Sequence, residues 1–425
     1  MSGSTNADGG RKYVILIPDG CADFPVSQFG GKTPLQYAAM PNIDALAKTG
    51  IVGCSANVPV GLSPGSDVAT LGLLGYNPAE YYTGRAPLEA VAQDIQLGND
   101  DWAIRCNLVT LQETPQGEIM QSFTAGHIST EEAAELIDTL NKTLRLEENE
   151  LTFYTGVSYR NLAVIRAGND NCRPLFSRNT MTAPPHDYTD KLVATALPTG
   201  DGADILLRLM NESKKLFAGH PVNKKRIAAG KLPATQIWLW GLGKKPALLP
   251  FSQRFAKVLA SNNFSGGMIT AVDLLRGIAS LIGWRQIEVP GITGYVDTDY
   301  AAKGRYAADA LKDLDIVCIH VEATDEAGHE GDAAKKVKAL EDIDGKLLPP
   351  LLDALCSNKE WRLLISPDHL TPVALKTHTS EPVPWLMCGS GIKPDSNVQY
   401  NEETAAQSPV FFKDGWKMME TFLRY

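Results

Sequence analysis

The sequence predicts an α/β protein built on a doubly wound sheet, with a second α/β domain inserted into the first. Near the start, the apolar, β-branched run Tyr13–Ile17 ends at Pro18-Asp19-Gly20, which is typical of a buried parallel strand. Near the end of the chain, a strand, an amphipathic helix and another strand follow one another between Asp315 and Ser366. Polar residues stand directly after these strands, where ligands gather in open α/β sheets.

Each element of the predicted core follows from its own pattern. Asp315–Val321 and Trp361–Ser366 are apolar runs of strand length, and Asn42–Lys48 is a short helix that stops before Gly50. Asp332–Leu355 repeats apolar residues at helical spacing, so one long helix is expected there. Its predicted apolar face consists of Val337, Leu340, Ile343 and Leu347.

The middle of the chain differs from both ends. A chain of 425 residues is too long for one ordinary core, so two domains are expected. Between about residue 94 and residue 261, short strand-like runs (LTFYTG, RNLAVIR, QIWLWG) mix with helices and with loops rich in glycine and proline. We therefore predict a core domain formed by residues 1–93 and 262–425, resuming near Met268, and an inserted domain formed by residues 94–261.

The amino-acid composition argues against two classes of binding partner and against a membrane span. The net charge of −9 argues against a nucleic acid or an anionic membrane, because both attract basic surfaces. No stretch approaches the ~20 apolar residues of a membrane span.

The residues of the segment Met1–Arg11 are small and polar, so we expect a disordered tail and not a signal peptide. The seven cysteines are scattered without a CxxC motif, which favours reduced thiols and a cytoplasmic protein. The sequence does not indicate an oligomeric state.

Three polar motifs follow the predicted strands of the C-terminal half. Asp325 and His329 are spaced four apart, so both point the same way on a helix or tight turn. Asp368-His369 follows the strand WRLLI, and His378 lies nine residues further on. Carboxylates and imidazoles suit divalent transition metals. Each motif taken alone is more often a set of ordinary solvated residues than a metal site.

Two further motifs lie in the N-terminal part. Asp19 ends the first strand, and Gly20 leaves room for a metal or phosphate to approach closely; the alternative is an aspartate that caps a helix. Ser66 stands at the start of the helical run that follows Pro64-Gly65. Free backbone N–H groups at a helix start favour an alkoxide or a phosphate, but a serine there is more commonly only an N-cap.

Taken together, these motifs indicate a two-metal site. Three aspartates, three histidines and one serine fall at or just past strand ends of one predicted sheet. Two metal ions about 4 Å apart lower the pKa of a nucleophile and neutralise phosphoryl oxygens during in-line displacement. A serine is a weak nucleophile without such activation. The combination therefore predicts metal-dependent phosphoryl transfer.

The ordered series DG, GSD, DxxxH, DH and H resembles the alkaline phosphatase superfamily. More narrowly, long strings resemble the archaeal-type 2,3-bisphosphoglycerate-independent phosphoglycerate mutases. The strings are PGSDVATLGLLGYNP, YYTGRAPLEA, RCNLVT, PPHDYT, GITGYVDT, HVEATDEAGHEGD, PDHLTP and KTHTSEPVP. The resemblance runs from about Lys12 to the C-terminus, and it implies an alkaline-phosphatase-like core with an inserted lid domain.

The resemblance also implies the roles of these residues. Ser66 would be the nucleophile that becomes phosphorylated. One metal ion would be held by Asp19, Ser66, Asp368 and His369, and the other by Asp325, His329 and His378. The ions are expected to be Mn²⁺, with Mg²⁺, Co²⁺ or Zn²⁺ as alternatives. The inserted domain would hold the glycerate.

A phosphoglycerate carries a phosphate and a carboxylate, both of which suit the guanidinium fork of arginine. The predicted substrate-binding residues are Arg105, Arg160, Arg178, Arg276 and Lys303, with Arg85 as a further candidate. Arg105 and Arg160 fit best by resemblance. His127 and Asp187 are predicted to transfer protons to and from the glycerate hydroxyls. For each of them, a surface or turn residue is the alternative.

The expected reaction is the interconversion of 3-phosphoglycerate and 2-phosphoglycerate through phosphoserine, with the substrate bound between the domains. Other metal-dependent phosphoryl transferases stay open on the same core: a phosphatase, a phosphopentomutase or a homoserine kinase. A kinase is disfavoured because no GxxxxGK[ST] loop occurs. A non-catalytic binding protein is disfavoured because every expected metal ligand is present.

Overall fold

The computed structural model describes residues 10–168, 175–259, 263–395 and 399–425. Residues 1–9 of the predicted tail, and Cys172, lie outside this description. The chain forms two compact units. Unit 1 consists of residues 1–82 and 247–425, and unit 2 consists of residues 83–246.

The strands are β1 Lys12–Pro18, β2 Gly50–Ser55, β3 Trp102–Thr114, β4 Gly117–Ser122, β5 Glu150–Val157, β6 Arg160–Arg166, β7 Gln236–Lys244, β8 Gly266–Ile269, β9 Arg285–Gln286, β10 Ile316–Val321, β11 Trp361–Ile365, β12 Val383–Gly389 and β13 Phe411–Phe412.

The helices are α1 Pro34–Tyr37, α2 Pro41–Lys48, α3 Ser66–Leu73, α4 Pro78–Tyr81, α5 Arg85–Ala92, α6 Thr130–Thr143, α7 Ala203–Ala218, α8 Pro221–Ala228, α9 Phe251–Arg254, α10 Ala256–Leu259, α11 Asp273–Leu281, α12 Tyr300–Ala310, α13 Ala323–Glu330, α14 Ala333–Asp342, α15 Leu348–Cys356, α16 Glu402–Gln407 and α17 Met418–Arg424. None of the helices in the described ranges is long and apolar enough to cross a membrane.

Unit 1 is built on one mixed sheet with the strand order β13-β2-β12-β11-β1-β10-β8-β9. Strand β1 lies at its centre and pairs in parallel with β10 on one side and β11 on the other. Strand β12 runs antiparallel to both of its neighbours. The carboxyl ends of β1, β10 and β11 therefore meet at the same edge of the sheet.

The central strands are buried on both faces, as their continuous apolar runs require. Val14 and Leu16 pack into a core with helices α2, α12, α14 and α15, and Tyr13 packs against Phe422 of α17 on the opposite face. The prediction of an α/β protein with a doubly wound sheet is confirmed, and the predicted core strands correspond to β1, β10 and β11.

The predicted single helix over Asp332–Leu355 is correct in extent but not in geometry. Residues Ile343–Leu347 form a π-helical turn between α14 and α15. Pro349 and Pro350 follow this turn, and proline rings clash with the carbonyl groups four residues earlier in a regular helix. The wider turn relieves that clash. The predicted apolar face is buried along its whole length.

Unit 2 has an antiparallel sheet with the order β4-β3-β6-β5, and β7 also pairs with β3. The predicted runs LTFYTG, RNLAVIR and QIWLWG lie in β5, β6 and β7. Helices α6 and α7 cover one face of the sheet around a core that includes Trp238 and Leu136. Helix α5 covers part of the other face.

The unit boundaries at 82/83 and 246/247 differ from the expected boundaries at 93/94 and 261/262. Helix α5 belongs to unit 2 because Ala86 and Ala90 pack against Ala103 of β3. The segment after residue 246 belongs to unit 1 because Phe251 packs against Phe264 and Trp284. Packing of apolar side chains, and not loop composition, fixes these boundaries.

Candidate active site

The strand ends of unit 1 bring the predicted ligands together. Asp19 directly follows β1, and its backbone N–H donates to the carbonyl of Val321 at the end of β10, at 3.0 Å. Asp368 follows β11 on the other side of β1. Helix α13 begins shortly after β10 and carries Asp325 and His329. The loop after β11 supplies His378.

Ser66 is the first residue of α3, and the N-cap residue is Gly65. The alternative that Ser66 serves only as an N-cap is therefore wrong. Its hydroxyl Oγ lies 3.1 Å from His369 Nε2 and 3.5 Å from Asp19 Oδ2. A serine at a helix start also benefits from the positive end of the helix dipole when it carries negative charge.

Asp19, Asp368 and His369 form the first buried group, with ligand atoms that all lie within 4.8 Å of one another. His369 Nε2 is 3.5 Å from Asp19 Oδ1 and 3.4 Å from Asp368 Oδ2. Asp368 Oδ1 accepts N–H bonds from Gly20 and His369. Its other oxygen, Oδ2, and Asp19 Oδ1 are buried without a hydrogen-bond partner.

Asp325, His329 and His378 form the second group. The two carboxylate oxygens of Asp325 lie 3.2 Å from His329 Nε2 and 3.4 Å from His378 Nε2. The two Nε2 atoms are 2.9 Å apart. His329 Nδ1 donates to the carbonyl of Lys376 at 3.1 Å, so Nε2 offers its lone pair to a cation whenever the ring is neutral. This pattern is common among metal-binding histidines.

His369 lies close to both groups. Its ring is 4.1 Å from that of His378, and it shares a possible ligand group with Asp325 and His378. The structure thus brings all seven predicted ligands into one cluster, although it does not itself divide them between two ions. These residues lie close together because β11, β1 and β10 are neighbours in the sheet.

The electrostatics of the cluster fit divalent cations. Burial and the neighbouring carboxylates of Asp368 and Asp325 raise the pKa of Asp19 well above its ordinary value. Burial alone would also raise the pKa of Asp325, but bonds from His329 and His378 outweigh it and hold that pKa well below the ordinary range. Buried carboxylate oxygens without partners are costly, and cations would satisfy them. The mixed carboxylate and imidazole donors suit Mn²⁺, Co²⁺ or Zn²⁺.

Gly20 supports this cluster in a way that the sequence did not fully reveal. Its φ of +57° is a conformation that favours glycine. A Cβ atom there would lie 2.3 Å from Thr371 Oγ1 and 2.5 Å from Asp325 Oδ1. The space beside Gly20 is therefore filled by Thr371 and Asp325, and Thr371 in turn donates its hydroxyl to Asp325.

Sequence reasoning missed His320, which lies inside β10 and is fully buried. Its Nε2 is 2.9 Å from Asp19 Oδ2 and 3.7 Å from Glu322 Oε2. Burial lowers the pKa of His320 to about 3, and burial together with Asp325 raises the pKa of Glu322 to about 8. One signal was available: His320 is the single histidine in the apolar run DIVCIHV.

The other two predicted residues of unit 1 have different surroundings. Lys303 is fully buried in α12, and its Nζ donates to the carbonyl of His320 at 2.8 Å. The Lys303 ammonium group, which was predicted to bind substrate, is thus already bonded inside the fold. Arg276 lies in α11, with its guanidinium 3.7 Å from the carboxylate of Glu288.

Unit 2 holds a second set of candidates around Arg105. The Arg105 guanidinium is 3.0 Å from the Glu89 carboxylate and 4.2 Å from the centre of the Trp240 ring. Arg85 also reaches Glu89, at 3.5 Å. Burial lowers the pKa of Arg105, although this arginine still keeps its charge near neutral pH. Arg105 is thus a fixed cation on the sheet of unit 2.

The remaining candidates of unit 2 are exposed. Asp187 lies beside His186 at 3.7 Å, and the His186 ring is 5.6 Å from Trp240. Arg160 at the start of β6 and Arg178 are both exposed. His127 is exposed as well. It ends a turn of three successive residues with positive φ, at +47°, +62° and +52°.

Comparisons with known proteins identify the family of this chain. A sequence profile of the 2,3-bisphosphoglycerate-independent phosphoglycerate mutases matches residues 47–223. A protein of that name from Methanothermobacter thermautotrophicus is 46% identical over 414 residues, which cover 97% of each chain. The chain belongs to this family. A protein from Geobacter sulfurreducens, named as a probable enzyme of the same kind, is 42% identical and covers 97% of this chain and 99% of its own length.

Solved structures show the same fold for this member of the mutase family. A protein from Pyrococcus horikoshii superposes with a TM-score of 0.77 at 27% identity, over 97% of both chains. A cofactor-independent phosphoglycerate mutase from Thermoplasma acidophilum superposes with a TM-score of 0.65 at 23% identity, over 98% of this chain and 99% of its own. The second likeness concerns the fold alone.

Proposed function

We propose that this chain interconverts 3-phosphoglycerate and 2-phosphoglycerate without 2,3-bisphosphoglycerate, through a phosphoserine at Ser66. Membership of the mutase family supports the reaction. The observation that carries the role of Ser66 is its position: its hydroxyl at the start of α3 faces His369 at 3.1 Å and Asp19 at 3.5 Å. We place this reaction in the cytoplasm, as expected for an enzyme of central carbon metabolism.

The proposal includes two divalent cations, with Mn²⁺ as the expected ion. Asp19, Ser66, Asp368 and His369 would hold one, and Asp325, His329 and His378 would hold the other. When bound, such ions lower the pKa of a hydroxyl nucleophile and neutralise phosphoryl oxygens. The buried carboxylate oxygens of Asp19 and Asp368 that have no hydrogen-bond partner support this assignment.

The protein then positions the substrate so that its phosphoryl group passes to Ser66 and back to the glycerate. The Ser66 hydroxyl gives up its proton and its oxygen attacks phosphorus, while the bond from phosphorus to the C3 oxygen of the glycerate breaks and that oxygen takes a proton. The C2 hydroxyl then loses its proton to a base and attacks the same phosphorus. The bond from phosphorus to Ser66 breaks, and the Ser66 oxygen takes a proton back. Water must be excluded meanwhile, because hydrolysis of phosphoserine would convert the mutase into a phosphatase.

We assign glycerate recognition to unit 2, in keeping with its expected role as a lid. Arg105 is the leading residue, because Glu89 and Trp240 hold its guanidinium in place. Arg160 and Arg178 are exposed partners for the carboxylate or the phosphate, and Arg276 of unit 1 is a further candidate. His127 and Asp187 are proposed to carry protons to and from the hydroxyl groups. For Lys303, its burial and its bond to His320 favour a supporting role over substrate binding.

An enolase-coupled assay tests the function. Wild type, Ser66→Ala and Ser63→Ala are compared with 3-phosphoglycerate and Mn²⁺, in the absence of 2,3-bisphosphoglycerate. Ser63 is an exposed serine three residues earlier, so its substitution is a matched control. We expect turnover in wild type and in Ser63→Ala, and a loss of about 10⁴-fold or more in Ser66→Ala. A folded wild type that binds Mn²⁺ but shows no turnover would refute the mutase and direct attention to phosphate release or kinase activity.

A further inference from the structure

We propose that His320 is a positioning residue: it donates its Nε2–H to Asp19 Oδ2 and thereby directs Asp19 Oδ1 towards the metal. The inference rests on the proposed function to the extent that Asp19 is taken as a metal ligand.

The hydrogen bonds of His320 determine which ring nitrogen carries the proton. Its Nδ1 lies 3.2 Å from Thr270 Oγ1, which already accepts the backbone N–H of Val272 at 3.1 Å. The Thr270 hydroxyl can donate its proton to Nδ1, and the ionised Asp19 carboxylate on the other side of the ring can only accept, so we assign Nδ1 as the acceptor. A neutral imidazole with Nδ1 as acceptor has its proton on Nε2. Nε2 is 2.9 Å from Asp19 Oδ2, so it donates to that oxygen.

This bond leaves the two oxygens of Asp19 with different roles. Oδ2 is occupied by His320 and lies 3.5 Å from Ser66 Oγ. Oδ1 is buried without a partner and lies 3.5 Å from His369 Nε2. A carboxylate held at one oxygen cannot rotate freely about its Cβ–Cγ bond. The donor from His320 therefore fixes the direction of the free oxygen towards the other predicted ligands.

The His320 ring cannot move away from this position. Strand β10 is paired on both sides, with β1 and with β8, and His320 stands opposite Ile17 in the β1 register. The carbonyl of His320 accepts a bond from Lys303 Nζ at 2.8 Å. The side chain has no exposed surface. Lys303 thus holds the backbone that carries His320, and the His320 ring in turn holds Asp19.

The Nε2 atom of His320 has a competing role, that of a metal ligand. Asp19, His320 and Glu322 each offer a ligand atom within 4.8 Å of the others, so they resemble a further cation site. A metal-bound imidazole nitrogen has no proton and cannot donate to Asp19. The two roles for Nε2 therefore exclude each other, and the Thr270 bond favours the donor. Experiment can separate them, because a glutamine side chain supplies an N–H donor in place of Nε2–H, and the number of Mn²⁺ ions bound shows whether a ligand has been lost.

The test measures Mn²⁺ binding to the whole protein without substrate, by electron paramagnetic resonance of free Mn²⁺ and by calorimetry. The variants are His320→Leu, His320→Gln and Thr270→Val. His220→Leu is the matched control, because His220 also bonds a threonine hydroxyl but lies in unit 2. We expect His320→Leu to weaken one Mn²⁺ site by about 10- to 100-fold, the usual effect of losing an outer hydrogen bond to a ligand. His320→Gln should recover most of that affinity, and His220→Leu should bind as wild type does.

Three results would overturn the inference. Unchanged Mn²⁺ affinity in His320→Leu would show that Asp19 needs no such donor. Equal loss of one whole ion in His320→Leu and His320→Gln would make His320 itself a ligand. A wild type that binds no divalent ion would remove the basis of the role.

If His320→Leu does not fold, Thr270→Val decides. This variant should weaken the same Mn²⁺ site by a smaller factor, and wild-type affinity in the folded variant would contradict the inference. Because binding is measured without turnover, an inactive mutase with the predicted binding pattern would refute only the proposed function.

Discussion

Unit 1 and unit 2 present their candidate residues in opposite ways. In unit 1, Asp19, Asp368 and His369 have fully buried side chains at the ends of paired strands. In unit 2, Asp187 and His186 keep 62% and 47% of their side-chain surface exposed, on a short turn. Arg105 is an exception in unit 2, since it is buried against Trp240, and His329 and His378 are partly exposed exceptions in unit 1.

This difference matches two chemical tasks. Buried charges on a rigid sheet stay in one geometry, which suits metal binding and in-line displacement. A glycerate that must return its second hydroxyl to the same phosphorus has to be held and then turned, which suits exposed and adaptable side chains. If the division is correct, changes in unit 1 should alter metal binding, and changes in unit 2 should alter substrate recognition.

Removing metal should have the largest effect. Chelation of Mn²⁺ is expected to abolish mutase turnover and to destabilise unit 1, since an ion present at 100 times its Kd stabilises a fold by about 2.7 kcal/mol. Hydrogen exchange followed by mass spectrometry should show faster exchange at the ends of β1, β10 and β11, with peptides of unit 2 unchanged. Equal changes in both units would contradict the division.

Two glycines with nearly the same backbone angle provide a matched pair. Gly20 of unit 1 has φ +57°, and Gly126 of unit 2 has φ +62°. Alanine at either position carries a backbone cost of about 1–3 kcal/mol. Only at position 20 would the new Cβ also lie 2.5 Å from Asp325 Oδ1. Gly20→Ala should therefore weaken Mn²⁺ binding by at least about tenfold, and Gly126→Ala should not. Calorimetric titration decides; equal Mn²⁺ affinities would show that Gly20 does not protect the cluster.

The substitution Arg105→Met tests the role of unit 2 in substrate recognition. Loss of a charge-assisted contact costs about 1.5–3 kcal/mol, which corresponds to a KM for 3-phosphoglycerate raised by roughly 10- to 100-fold. Mn²⁺ affinity should not change. Arg208→Met, at an exposed position on α7 of the same unit, is the control and should leave KM as in wild type. An unchanged KM in a folded Arg105→Met variant would remove Arg105 from the substrate site.

Substitution of Lys303 is expected to have the smallest effect, which is a change in how the free energy of unfolding depends on pH. Burial lowers its pKa from 10.5 to about 8. Between these values the unfolded chain binds a proton that the folded chain does not, so this lysine makes the unfolding free energy rise with pH, by at most about 1.4 kcal/mol per pH unit. Below pH 8 both states are protonated, and the slope vanishes. Urea unfolding from pH 7 to pH 10 should show a shallower rise for Lys303→Met than for wild type; parallel curves would contradict the lowered pKa.

Much of the unit 1 site could be predicted because its residues follow strand ends. Asp19, Asp325 and Asp368 each stand after an apolar run, and parallel strands in one sheet bring such positions to one edge. The sequence did not show which strands are neighbours. His320 lies within a strand, and its proximity to Asp19 depends on the β1–β10 register, which no local pattern contains.

The site in unit 2 could be predicted only in part. Arg105 was expected to bind substrate, but its partner Glu89 lies on α5, which the composition assigned to the other domain. Trp240 reaches Arg105 through the pairing of β7 with β3, across more than a hundred residues of sequence. Long-range packing, and not residue type, determines which arginine is buried and which is exposed.

The most direct test of the account is to trap the covalent intermediate. Enzyme loaded with Mn²⁺ is mixed with 3-phosphoglycerate carrying a radiolabelled phosphate, quenched in acid within one turnover and digested, and the labelled peptide is sequenced by mass spectrometry. The account predicts label on Ser66 in wild type and none in Ser66→Ala, which should also lack turnover. Turnover by Ser66→Ala, or label on another residue, would contradict it.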